Sequence, residues 1–175
     1  MPVKLQSSSG GSVTLQTGST ASNYTHTVPS VDGTVMVSGN MPTFCAYQSS
    51  AQTISNSTWT KLQFQTEEWD TANCFDSTTN YRFTPNVAGY YQVNMAVAYG
   101  PGTNSEFTTA LYKNGSNYKY FWDISTTWYL VNGSVTVYLN GSTDYIELYA
   151  WIATGQALNA NAINTYFQAI MVRSA

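Results

Sequence analysis

Four carboxylates and a tryptophan crowd one short stretch, Glu67-Glu68-Trp69-Asp70 through Asp76. Paired carboxylates are the equipment of glycoside hydrolysis, one acting as acid and the other as base or nucleophile. Clustered carboxylate oxygens also suit a hard cation such as calcium. No EF-hand-like spacing pins a cation here, so no metal ligand is assigned, and the favoured reading is a solvated loop tip. His26 is the single histidine and lies between two threonines in a polar segment. The chain has no Gly-x-Ser-x-Gly elbow, no phosphate-cradling glycine loop and no His-Glu-x-x-His helix. No catalytic or cofactor-binding residue is assigned, and the chain is expected not to be an enzyme.

Trp59, Trp69, Trp122 and Trp128 could stack on sugar rings, because tryptophan joins a broad apolar face to a polar tip. They could equally be core or interface anchors, which is the default in a β-sandwich. Cys45 and Cys74 are the only cysteines and stand in no metal-ligand spacing. A disulfide between them and two buried, reduced thiols are the open readings, the second favoured. Asn-x-Ser/Thr triplets begin at Asn23, Asn56, Asn114, Asn132 and Asn140; three are Asn-Gly pairs that turn geometry explains without sugar.

Only 9% of the 175 residues are charged, against about 25% in ordinary domains. The net charge is −3, and six basic residues scattered singly offer no basic stripe, so nucleic acid is not an expected partner. No apolar run is long enough to span a membrane or serve as a signal peptide, so synthesis and folding in a cytoplasm are expected.

These residues must be positioned by strands. From Pro42 onward period-2 alternation persists and no helical stripe of useful length appears, which predicts an all-β body. Strands are expected at Phe44 to Gln48, Thr58 to Gln65, Tyr90 to Tyr99, Phe107 to Lys113, Tyr118 to Ile124, Thr127 to Val131, Ser134 to Leu139, Asp144 to Ile152 and Ile163 to Arg173, with Thr66 to Thr79 a loop. Asn114-Gly115 predicts a tight hairpin turn. In the strand from Asp144 to Ile152, Ile146, Leu148, Ala150 and Ile152 share a core face while Tyr145, Tyr149 and Trp151 share the other. That second face needs cover, from loops or from another subunit. Residues 1–41 differ: short β pieces (Ser12 to Gln16, Tyr24 to Val28, Thr34 to Val37) separated by Gly, Ser and Thr form an arm too thin for a core. Val13, Leu15, Val28, Val35 and Val37 are its expected contact residues, since short isolated strands must pair with something.

Phe83-Thr84-Pro85 with Gly89-Tyr90-Tyr91, Leu111-Tyr112-Lys113-Asn114-Gly115, and the hairpin from Leu139 to Leu148 with a closing Phe167 resemble, in that order, the complement-one-q and tumour necrosis factor superfamily. The likeness covers residues 42–175. It implies a jelly-roll β-sandwich head of ten strands, working as a homotrimer with aromatics near the three-fold axis, and makes Tyr145, Tyr149 and Trp151 candidates for the trimer interface. One departure is that Ser142-Thr143 separates Gly141 from Asp144, where the family often has Gly-Asp.

Gly10-Gly11-Ser12-Val13-Thr14-Leu15, followed by Val28-Pro29 and Asp32-Gly33-Thr34-Val35, resembles segments of bacteriophage virion proteins that precede a displayed domain. The resemblance implies a virion protein assembled in the host cytoplasm. A capsid decoration (cement) protein anchored by its arm on the major capsid protein or another virion protein is the first expectation. A receptor-binding tip or tail-fibre appendage recognising a host glycan is the second.

Overall fold

The computed structural model describes residues 3–16, 19, 21–23, 25, 27, 30, 32, 35–99, 106–123, 129–154, 156–158 and 160–175. In chain order the strands are β1 (Val3–Gln6), β2 (Ser12–Leu15), β3 (Thr43–Tyr47), β4 (Thr53–Ile54), β5 (Thr60–Lys61), β6 (Thr66–Asp70), β7 (Phe75–Asp76) and β8 (Arg82–Phe83). They continue as β9 (Ala88–Tyr99), β10 (Phe107–Lys113), β11 (Ser116–Asp123), β12 (Tyr129–Asn140), β13 (Ile146–Ile152), β14 (Gln156–Ala157) and β15 (Tyr166–Ser174). A single 3-10 turn, Ser38–Asn40, is the one helical element among the described residues.

The chain divides into two compact units, Met1–Gly33 and Thr34–Ala175. In the first, β1 and β2 form an antiparallel hairpin pairing Val3 with Leu15 and Leu5 with Val13. Alternation along each strand puts these four aliphatic residues on one face of the hairpin. All four are exposed.

The second unit is a sandwich of two antiparallel sheets. One sheet runs β11-β10-β13-β8-β7, with β5 also paired to β13; the other runs β12-β9-β15-β3-β6. Alternation makes each strand two-faced, and the inward faces meet as the core. On β9 these are Tyr91, Val93, Met95, Val97 and Tyr99; on β13 they are Ile146, Leu148, Ala150 and Ile152. At one end Phe44 stacks on Phe75 and Phe83, with ring centroids 4.5 and 4.6 Å apart, and meets the edge of Phe167 at 5.1 Å. At the other end Tyr99 stacks on Phe107 across the sheets at 5.1 Å. Each such side chain contributes about 1.5–3 kcal/mol by leaving water.

Asn114-Gly115 forms the expected hairpin turn, with both residues at positive φ (52° and 75°), as a tight turn between right-twisted strands requires. Several expectations are corrected. Thr66 to Thr79 is not one loop, because Thr66–Asp70 pairs with β3 as an edge strand. The expected strand from Thr58 to Gln65 pairs at Thr60–Lys61, with one further bond from the Leu62 N–H to the Leu148 carbonyl at 2.8 Å, and Leu62 and Phe64 are buried in the core. The two strands expected on either side of Asn132-Gly133 are one, β12, since Gly133 continues the ladder opposite Met95. Val35 and Val37 lie in unpaired chain, not in a strand. The neighbouring Met36 packs against the core, which leaves those two side chains outward and exposed. Val28, His26, Trp128 and most of the strand expected from Tyr24 to Val28 lie outside the described residues.

Candidate functional site

The carboxylate stretch does not converge on a reaction centre. Glu67 and Glu68 are exposed on edge strand β6. Asp70 accepts hydrogen bonds from the backbone N–H of Ala72 and Phe75. Asp76 accepts from the N–H groups of Thr78, Thr79 and Asn80 and from the Thr78 and Asn80 side chains. These bonds, led by the one from Thr79, hold the Asp76 carboxyl well below the usual carboxylate range. Both aspartates therefore shape turns. Among the described residues no three of His, Cys, Asp and Glu converge as a metal site would need.

Cys45 and Cys74 are both buried and unbonded. Burial, with the Glu68 carboxylate adding to it, pushes the Cys45 thiol up to about 12, so the reactive thiolate is suppressed. Trp69 lies 41% exposed on β6 and donates its indole N–H to Thr43 Oγ1 at 3.2 Å.

The outward face of the sheet containing β10, β11 and β13 carries the densest set of functional side chains. Register places Thr108 opposite Trp151, Ala110 opposite Tyr149 and Tyr112 opposite Glu147, all facing away from the core by alternation. Tyr112 and Tyr149 stack with centroids 4.0 Å apart. Trp59, arriving just before β5, lies 6.2 Å from Tyr112 and 5.6 Å from Tyr120 on β11. Ala110 on this face is fully buried, because its small side chain lets the surrounding rings close over it. Glu147, 4% exposed, is paired with Lys61 Nζ at 2.8 Å. Burial and then the Glu147 charge push the Tyr149 phenol above its ordinary range, keeping it neutral.

Beside this cluster opens a cleft of about 230 Å³ lined by Trp59, Glu106, Thr108, Tyr120 and Trp151. Thr108 is 2% exposed, and its Oγ1 is buried with no hydrogen-bond partner. The sequence singled out Trp59 for stacking and Trp151 for assembly, but Glu106, Thr108 and Tyr120 carried no signal. They meet only through the β10–β11–β13 register.

Of the candidate interface residues, Tyr145 has the Arg82 guanidinium 4.4 Å above its ring, Tyr149 stacks on Tyr112, and Trp151 lines the cleft. All three are part-buried within one chain. On the arm side, Val13 and Leu15 lie on the exposed face of the hairpin, 62% and 60% exposed. The other sheet presents a different surface. Tyr90 and Tyr138 face outward as a cross-strand pair 5.5 Å apart, with Ile170 on the same face and Val172 at the β15 bulge. These four are 41–60% exposed.

No family model matches the chain, and no curated protein matches it. Solved structures do. The structure of Eiger TNF from S. frugiperda superposes with a TM-score of 0.61 at 10% identity, covering 77% of this chain and 93% of that one. Murine APRIL at pH 5.0 gives 0.60 at 10% identity, covering 75% and 99%. At such identities the likeness speaks for the fold alone, and with the two antiparallel sheets described above it makes the second unit a tumour necrosis factor-like jelly roll.

Proposed function

We propose that this protein is a non-enzymatic homotrimeric structural component of a bacteriophage virion, a capsid decoration protein anchored through its N-terminal segment. One observation carries the reading: the β1–β2 hairpin exposes Val3, Leu5, Val13 and Leu15 on one face. A two-stranded hairpin is marginal in water by itself, and an apolar face of this kind gains by burial against another protein surface. Self-association through the jelly roll is supported by the exposed Tyr90, Tyr138, Ile170 and Val172. That surface suits a second copy better than the face of Tyr145, Tyr149 and Trp151, where Tyr145 packs under Arg82 and Tyr149 against Tyr112 within the chain.

The test is binding of the full-length protein to isolated phage heads, measured by co-sedimentation, with a Leu5→Asp/Leu15→Asp variant beside it. The unaltered chain is expected to sediment with heads and the variant to stay in the supernatant at unchanged trimer mass. Failure of the unaltered chain to bind, or equal binding by the variant, refutes the anchoring role. The second reading, an appendage that recognises a host-surface glycan, is favoured by the aromatic cleft beside β10.

A further inference from the structure

We infer that the cleft lined by Trp59, Glu106, Thr108, Tyr120 and Trp151 binds a neutral hexose ring of a glycan. Three aromatic side chains supply broad apolar faces of the kind that pack against the C–H face of a pyranose, while the indole N–H and phenol O–H at their edges remain able to donate. The Glu106 carboxylate is a strong acceptor for sugar hydroxyls. Among the described residues the lining includes one carboxylate and no cation, which disfavours anionic sugars and leaves neutral ones. The volume, about 230 Å³, falls below the roughly 300–1,000 Å³ of pockets that enclose drug-sized ligands. It suits one ring of a longer chain whose remainder stays in solvent.

Thr108 gives the independent observation. Its hydroxyl lies at the cleft without a partner, although buried polar groups are almost always paired. The oxygen has almost no accessible surface, so a sugar hydroxyl seated among the rings becomes its partner once a covering ring or the Thr108 side chain turns slightly aside. A purely structural aromatic cluster has no use for an unpaired hydroxyl at that position, where Val would fill the same space without the polar atom.

This reading goes beyond assembly and does not depend on it, because glycan binding and subunit mass are separate measurements. The full-length protein is applied to a glycan array, and the best-bound oligosaccharide is titrated by tryptophan fluorescence into the unaltered chain and into Trp59→Ala, Trp151→Ala, Tyr120→Ala and Thr108→Val, with mass measured by light scattering. The expected result is binding of at least one neutral glycan, weakened by about tenfold or more in each aromatic variant and also weakened in Thr108→Val, at unchanged mass. Tyr120 is 59% exposed, so its variant decides the matter if Trp151→Ala does not fold. Absence of binding to any neutral glycan, equal binding by Tyr120→Ala and Trp59→Ala, or a fall in mass on changing Trp151 overturns the proposal.

Discussion

Asn140 and Asp144 do the work of holding one turn open for the chain to reverse. Asn140 Oδ1 accepts from the N–H groups of Ser142, Thr143 and Asp144, while Asp144 takes Lys113 Nζ at 2.9 Å and Asn114 Nδ2 at 2.7 Å. Gly141 between them sits at φ +70°, and a Cβ there would lie 2.2 Å from the backbone nitrogen of Ala88. Gly141→Ala is therefore expected to cost about 1–3 kcal/mol from backbone strain alone, read as a lower urea midpoint at unchanged m-value. The Ser142-Thr143 insertion noted in the sequence fits this turn, since both residues donate to Asn140. What no residue type announced was the pairing of Asn114 with Asp144, because two turns distant in sequence meet only once the strands are in register.

At the scale of elements, turns rather than sheets set the acid limit. The Asp76 and Asp144 carboxyls are both held below the ordinary range, Asp76 first by its bond from the Thr79 N–H and Asp144 first by its bond from Asn114. A group with a depressed folded-state pKa stabilises the fold above its unfolded value, about 3.9 for aspartate, and that contribution is lost as pH falls through the folded value. Stability is thus expected to be flat from pH 7 to about 5 and to fall below about pH 4. Asp76→Asn and Asp144→Asn, followed by chemical unfolding across that range, should each flatten the decline, and an unaltered slope in both would remove the explanation. Long strands were legible in sequence where one face is uniformly apolar: the strand expected from Tyr90 to Tyr99 runs over Ala88–Tyr99, and the one expected from Asp144 to Ile152 starts two residues later, at Ile146. Short ones were not. Val3-Lys4-Leu5 alternates too briefly to distinguish a strand from coil, and β6 hides because an edge strand with exposed Glu67, Glu68 and Trp69 has a loop's composition. The cleft was illegible for a related reason: Trp59, the neighbouring pair Glu106 and Thr108, Tyr120 and Trp151 come from four separate segments and acquire a common meaning only through register.

For the whole molecule, the decisive quantity is mass. Ile170→Asp and Tyr90→Asp place a charge on the exposed apolar surface of the five-stranded sheet, and if that surface is a subunit seam the charge is buried without a partner. Each variant is expected to shift light-scattering mass from three chains toward one while leaving the β-rich circular dichroism intact. An unaltered chain that is monomeric at micromolar concentration would end the trimer reading. Sequence order brought the jelly roll into view through turn and strand signals spread from Phe83 to Phe167, but not the surface it presents, because exposed Tyr and Ile look the same in sequence as buried ones.

The position of β15 has a consequence in time. It lies between β9 and β3, so Phe44 and Ala46 gain their sheet neighbours Ala169 and Phe167 only after synthesis has passed through every intervening strand and reached β15. At about 5–20 residues per second, β3 and β9 wait several seconds or longer with half of their hydrogen-bonding edges open. During that interval the nascent jelly roll offers two strand edges that a sister chain on a neighbouring ribosome can fill wrongly.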